Sequence, residues 1–247
     1  MFVLAGIGQN KEEVPVGVIN EIKSADLVFL EYYTNFVDEE TINFLLSINK
    51  NIKIVNRKFV EEELEKIIIS NFNKKIVLIV SGSPLFATTH AYFLKICKEN
   101  KIDFKVINAA SIFDEIGKTG LFLYKFGKTV SIPFHEAESF FDEIVKNYKS
   151  GLHTLVLLDL DPENKKYLSL KEAIERIINI DKKKNLGIFL EDFKIIVCSS
   201  LGRKNEKIFY LKIKEALNLD LPPPICIIIP SNLNNIEIEI LECMKNY

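Results

Sequence analysis

Short apolar runs alternate with amphipathic stretches through the first half of the chain. Residues 2–5, 27–30, 52–55, 76–80 and 104–107 are strand-sized and mostly β-branched or otherwise apolar. Between them, Val14-Pro15 opens a stretch whose Val18, Ile19 and Ile22 fall on one helical face, and residues 41–48 and 92–99 carry similar rhythms. Glu61-Glu62-Glu63 places acid where the positive end of a third helix dipole is expected. Strand and helix alternating at this spacing predict a parallel sheet covered on both faces.

The second half repeats the alternation less regularly. Residues 121–131 read as extended, 140–148 as a helix, and 154–158 as a buried strand ending at Asp159. A helix over 170–180 keeps Ile174, Ile177 and Ile178 on one side; a strand over 193–198 turns through 199–203 towards a hairpin partner at 207–210. Leu221-Pro222-Pro223-Pro224 is a stiff lead into a last strand at 225–229. Ser111 is placed to cap a helix over 112–118 joining the halves. The expected fold class is α/β, as two α/β domains over 1–110 and 111–247.

With 247 residues, 48% of them hydrophobic and 27% charged, the chain can bury a core in each domain and is not disordered. A net charge of -2 offers no basic surface for nucleic acid; Lys182-Lys183-Lys184 reads as a solvated loop. The four cysteines form no CxxC pair, so neither zinc nor a disulfide framework is expected. Met1 leads straight into a strand with no signal-peptide pattern, and no apolar run approaches the ~20 residues of a membrane span. The expectation is a soluble cytoplasmic protein with no membrane contact.

The chemistry-bearing stretch follows residues 76–80. Ser81-Gly82-Ser83-Pro84 must turn the chain at the carboxyl end of a buried strand, where open parallel sheets bind small ligands. Thr88 or Thr89 is expected to cap the helix beyond. Gly6-Ile7-Gly8 closes the first strand in the same way, although no third glycine completes a dinucleotide fingerprint. His90, His135 and His153 are far apart, with no nucleophile elbow nearby, and are read as structural.

Ala87-Thr88-Thr89-His90 after this turn resembles the diphthine synthases, methyltransferases of diphthamide biosynthesis within the tetrapyrrole-methylase superfamily. Leu30-Glu31-Tyr32-Tyr33-Thr34, Asn108-Ala109-Ala110-Ser111-Ile112, the block 120–134 and Gly151-Leu152-His153-Thr154-Leu155 resemble the same family in the same order. The resemblance implies two tetrapyrrole-methylase-type domains with S-adenosylmethionine in the cleft between them and S-adenosylhomocysteine as product. By position in the matching motifs, the cofactor contacts are Gln9, Ser83, Phe86, Ser111, Ile112, Leu158, Leu201 and Ile225; for Leu158 and Ile225, plain core packing is the alternative. No catalytic side chain is assigned, because the sulfonium already activates the methyl group. Asp114, Glu115 or Asp159 could accommodate a cationic product.

The implied acceptor is the amino group of the modified histidine of translation elongation factor 2. A homodimer is also implied, and length and ending suit a compact archaeal form. Three departures stand out. The family usually has Gly-Asp-Pro where Gly82-Ser83-Pro84 stands. It tends to have a histidine near Ile225, and a glycine-rich basic stretch where Leu201-Gly202-Arg203 matches in part. Two alternatives stay open: a related enzyme acting on a tetrapyrrole or ribosomal RNA, and a binding module that kept the fold and lost the methyl donor.

Overall fold

The computed structural model describes residues 1–244, which divide into two compact units: Met1–Ile112 with Asp161–Lys165, and Phe113–Leu160 with Lys166 onward. The first unit runs β1 (Phe2–Gly6), α1 (Val16–Lys23), β2 (Leu27–Glu31), α2 (Glu39–Ile48), β3 (Lys53–Val55), α3 (Leu64–Ser70), β4 (Ile76–Val80), α4 (Ala91–Glu99), β5 (Phe104–Ile107) and the short α5 (Ile112–Glu115) at its boundary. Its sheet, ordered β3-β2-β4-β1-β5, is parallel throughout.

The sheet's side chains sort by strand alternation. Val3, Ala5, Val77, Ile79, Val28 and Leu30 pack with Val18 and Ile22 of α1 and Leu45 of α2. Phe2, Leu4, Ile76, Leu78, Val80 and Phe29 pack with Leu64 and Ile68 of α3 and Phe93 and Cys97 of α4. Burial on both faces is why these strands are continuous apolar runs.

The second unit contains β6 (Val130–Ile132), α6 (Ser139–Lys149), β7 (Thr154–Leu158), the two-residue β8 (Leu160–Asp161) and β9 (Lys166–Tyr167), α7 (Leu170–Lys183), β10 (Lys194–Ser199), β11 (Lys207–Lys212), α8 (Ile213–Ala216), β12 (Ile225–Ile229) and α9 (Asn235–Cys243). Its main sheet, β11-β10-β12-β7-β6, is mixed: β6 and β7 run parallel, and the other neighbours are antiparallel. Val156, Val197 and Ile227 pack with Phe141 and Ile144 of α6 and Ile174 and Ile177 of α7 in one core.

Three local expectations are corrected and one, the acidic helix start, is refined. Neither Thr88 nor Thr89 caps α4; His90 precedes it with no side-chain cap, and the Thr88 hydroxyl donates to the Pro84 carbonyl at 2.9 Å. The acidic run lies in a π-helical turn, Phe59–Glu63, ahead of α3. The helix expected over 112–118 is α5 followed by a 3-10 turn, Ile116–Thr119, closed by Gly120 at φ +80°. Of residues 121–131, only the end enters a strand, because Leu123–Lys125 forms a 3-10 turn; aromatic content is a packing preference that local turn chemistry overrides here.

Candidate functional site

In the first unit, β1 lies between β4 and β5, so the loops leaving all three strands emerge on one edge. The loops after β1 and β4 are tied directly. Gly82 N–H donates to the Gly8 carbonyl at 2.8 Å and Gly8 N–H returns a longer bond at 3.4 Å, an isolated bridge beyond the sheet. Both glycines have φ +73°, a left-handed conformation that residues with a Cβ avoid. A Cβ on Gly6 would stand 2.5 Å from the Gly82 carbonyl oxygen, 2.7 Å from Pro84 Cδ and 3.2 Å from Ala109 N. Three loops thus meet where backbone alone fits.

Gln9, Gly82 and Ser111 converge there. A Cβ added to Gly82 would lie 3.2 Å from Gln9 Nε2 and 3.9 Å from Ser111 Cα. Gln9 is buried and held at both ends: its N–H donates to Glu13 Oε2 at 2.7 Å, and its Oε1 accepts from Asn35 Nδ2 at 3.3 Å. Asn35 also donates to Ser81 Oγ at 3.2 Å. Ser83 is half-buried beyond Gly82, and Phe86 N–H donates to the Ser83 carbonyl at 3.3 Å. Asn35 carries no signal in the sequence, since a lone Asn in a loop has no informative spacing, and Ser81 was legible only as part of the turn.

The remaining expected contacts lie on other elements. Ile112 opens α5. In the second unit Leu158 ends β7 with its side chain in the core, and Ile225 begins β12, half-buried against that core. Leu201 is buried in the turn after β10, where Ser200 N–H donates to the Pro224 carbonyl at 2.8 Å.

The acidic residues considered for a cationic product are engaged locally. Asp159 accepts from the N–H groups of Phe134 and Leu160, each at 3.1 Å, and Glu115 pairs with Lys118 at 2.8 Å. Asp114 also has interaction partners of its own. Two histidines are buried against carboxylates: His90 Nε2 is 2.6 Å from Glu31 Oε2, and His153 Nε2 is 3.1 Å from Glu237 Oε1. Tyr33, buried with Arg57 stacked 5.0 Å above its ring, has its acidity suppressed by burial and then by the Glu31 and Glu61 carboxylates. Among the described residues no three His, Cys, Asp or Glu side chains gather as metal ligands.

Close backbone approach, an amide and hydroxyls can seat a polar small molecule and hold it still. They supply no acid–base machinery.

The sequence pattern of the tetrapyrrole (corrin/porphyrin) methylases matches residues 1–217. The chain is 36% identical to a diphthine synthase of Methanococcus aeolicus over 98% of this chain and 97% of that one. It is 35% identical to one from Methanocaldococcus jannaschii, with 98% of each covered. A solved structure of a candidate diphthine synthase from Entamoeba histolytica superposes with a TM-score of 0.88 at 30% identity, covering 99% of this chain and 98% of that one.

Proposed function

The chain belongs to the tetrapyrrole methylase family and, within it, to the diphthine synthases; from that premise we propose that it methylates the amino group of the modified histidine of translation elongation factor 2 with S-adenosylmethionine. The observation that carries the reading is the convergence of Gln9, Gly82 and Ser111 at the carboxyl ends of β1, β4 and β5.

Bound there, the cofactor supplies a methyl carbon already activated by a cationic sulfur. The chain's part is alignment and the exclusion of water. Gly6 and Gly82 let backbone close around the ligand, Gln9 and Ser111 offer polar contacts, and Ser83, Phe86 and Ile112 add to them. Leu158, Leu201 and Ile225 are proposed as contacts by their position in the matching motifs alone. The acceptor amine attacks as the neutral base, so its proton is lost to solvent or to a group of the acceptor protein.

The proposal extends to a homodimer working in the cytoplasm on a protein substrate. No helix among the described residues is long and apolar enough to cross a membrane.

Calorimetric titration with S-adenosylmethionine and S-adenosylhomocysteine tests the reading. Micromolar binding near one site per chain is expected, followed by methyl incorporation into elongation factor 2 that carries the modified histidine. Absence of heat with both ligands would leave a fold that has lost its methyl donor, and Ser83 and Ile225 would be the first residues to restore.

A further inference from the structure

His90 closes the motif Ala87-Thr88-Thr89-His90, yet it neither caps α4 nor faces solvent. Its buried ring stands between two oxygens: Nδ1 is 3.3 Å from the Pro84 carbonyl, and Nε2 is 2.6 Å from Glu31 Oε2. Glu31, the last residue of β2, is buried as well, and its other oxygen accepts the Thr34 hydroxyl. The Pro84 carbonyl accepts a second bond from the Thr88 hydroxyl at 2.9 Å.

The proton count follows from the oxygens. A carbonyl only accepts, so Nδ1 must carry hydrogen. At the opposite edge Nε2 lies 2.6 Å from Glu31 Oε2, a close approach of two buried side chains that restricts rotation of the ring. In between, the loop 81–88 carries Ser83 and Phe86, together with Ala87 at φ +54°. That conformation costs an alanine about 1 kcal/mol or more, so the loop needs outside support to hold it.

We propose that Glu31 and His90 form a positioning pair for the cofactor loop: Glu31 orients the imidazole, and the imidazole together with Thr88 pins the Pro84 carbonyl, fixing where Ser83 and Phe86 stand. This rests on the reading that the loop binds S-adenosylmethionine. Neither residue touches the reacting atoms. The Glu31 end also explains why Leu30-Glu31-Tyr32-Tyr33-Thr34 and Ala87-Thr88-Thr89-His90, far apart in sequence, serve one site.

Two conservative variants separate the two ends of the ring. His90→Asn keeps an amide donor near Nδ1 and so can still bond Pro84; His90→Gln places its donor near Nε2, towards Glu31, and leaves Pro84 without it. Binding of S-adenosylhomocysteine by calorimetry and melting temperature are measured together. His90→Gln is expected to weaken binding about three- to tenfold, the worth of one well-placed hydrogen bond, and clearly more than His90→Asn, whatever their relative melting temperatures. Equal affinity in the two variants, or affinity that merely follows melting temperature, overturns the proposal. Thr88→Val, on a half-buried loop residue, removes the second donor and tests the same carbonyl should a His90 variant fail to fold. It is expected to weaken binding a few-fold, and unchanged affinity counts against the proposal. Wild-type protein that binds neither ligand defeats the cofactor reading itself, which sets that failure apart from this one.

Discussion

His153 Nε2 stands 3.1 Å from Glu237 Oε1, with both side chains fully buried. Ser231 N–H donates to His153 Nδ1 at 3.0 Å, so that nitrogen keeps its lone pair and the ring's single proton sits on Nε2. Burial opposes a second proton and lowers the imidazole's basicity against the pull of Glu237. For Glu237, burial opposes the charge, but the Lys125 ammonium, the N–H groups of Asn234 and Phe122, and His153 outweigh it and hold its carboxyl at about 2. The network ties α9 to the loop at 122–125 and to the start of β7.

This network sets an acid sensitivity. The folded carboxyl titrates at about 2 and the unfolded one near its ordinary 4.5, so the stabilisation is complete above that value and lost as pH falls towards 2. The pair of values corresponds to roughly 3 kcal/mol. His153, depressed below its ordinary 6.5, acts in the same direction, because the unfolded chain gains a proton there that the folded ring resists. The urea midpoint is expected to fall steadily from pH 7 to pH 3, and Glu237→Gln to flatten the lower part of that slope. A midpoint indifferent to pH would sink the assignment.

Gly6→Ala meets backbone on two sides, the Gly82 carbonyl at 2.5 Å and Ala109 N at 3.2 Å, together with the Pro84 ring. Overpacking of this kind costs about 1–3 kcal/mol, and here it pries apart the loops after β1 and β4. The expected result is a lower melting temperature together with loss of S-adenosylhomocysteine binding. Wild-type affinity in a folded Gly6→Ala protein would show that the Gly8–Gly82 bridge does not shape the site.

Ser83→Asp restores the carboxylate usual in the diphthine synthases. A half-exposed charge near a sulfonium is worth on the order of 1 kcal/mol, and screening reduces it. Binding of S-adenosylmethionine, which carries the sulfonium charge, should tighten several-fold relative to uncharged S-adenosylhomocysteine, with the gain shrinking in high salt. A parallel change for both ligands would locate Ser83 away from the sulfur.

Asn35→Ala removes the donor shared by Gln9 Oε1 and Ser81 Oγ. Each bond is long, so the stability change should stay near 1 kcal/mol. Freed of that restraint, Gln9 should bind cofactor several-fold more weakly, seen as a higher KM for S-adenosylmethionine with kcat preserved. A fall in kcat alone would assign Asn35 a different role.

Much of the fold could be read from the chain because its central strands are buried on both faces. The runs at 76–80 and 154–158 have no other stable destination, and they match β4 and β7 closely. The hairpin of β10 and β11 was visible as a strand, a turn at 199–203 and a candidate partner at 207–210. Helix starts were less legible. Thr88 and Thr89 both look like caps, and only the folded loop shows the Thr88 hydroxyl spent on Pro84.

The site divides along the same line. Sequence by itself determined the family through ordered motifs, and it offered Gln9, Ser83, Phe86, Ser111 and Ile112 as the first unit's candidates. The tertiary structure decided that Gly6 is obligatory, that Asn35 braces Gln9, and that Glu31 reaches His90. Those pairings join residues distant along the chain, and their energies depend on burial and direction. A one-dimensional pattern encodes burial through periodicity, but it carries no direction between side chains until the strands have paired.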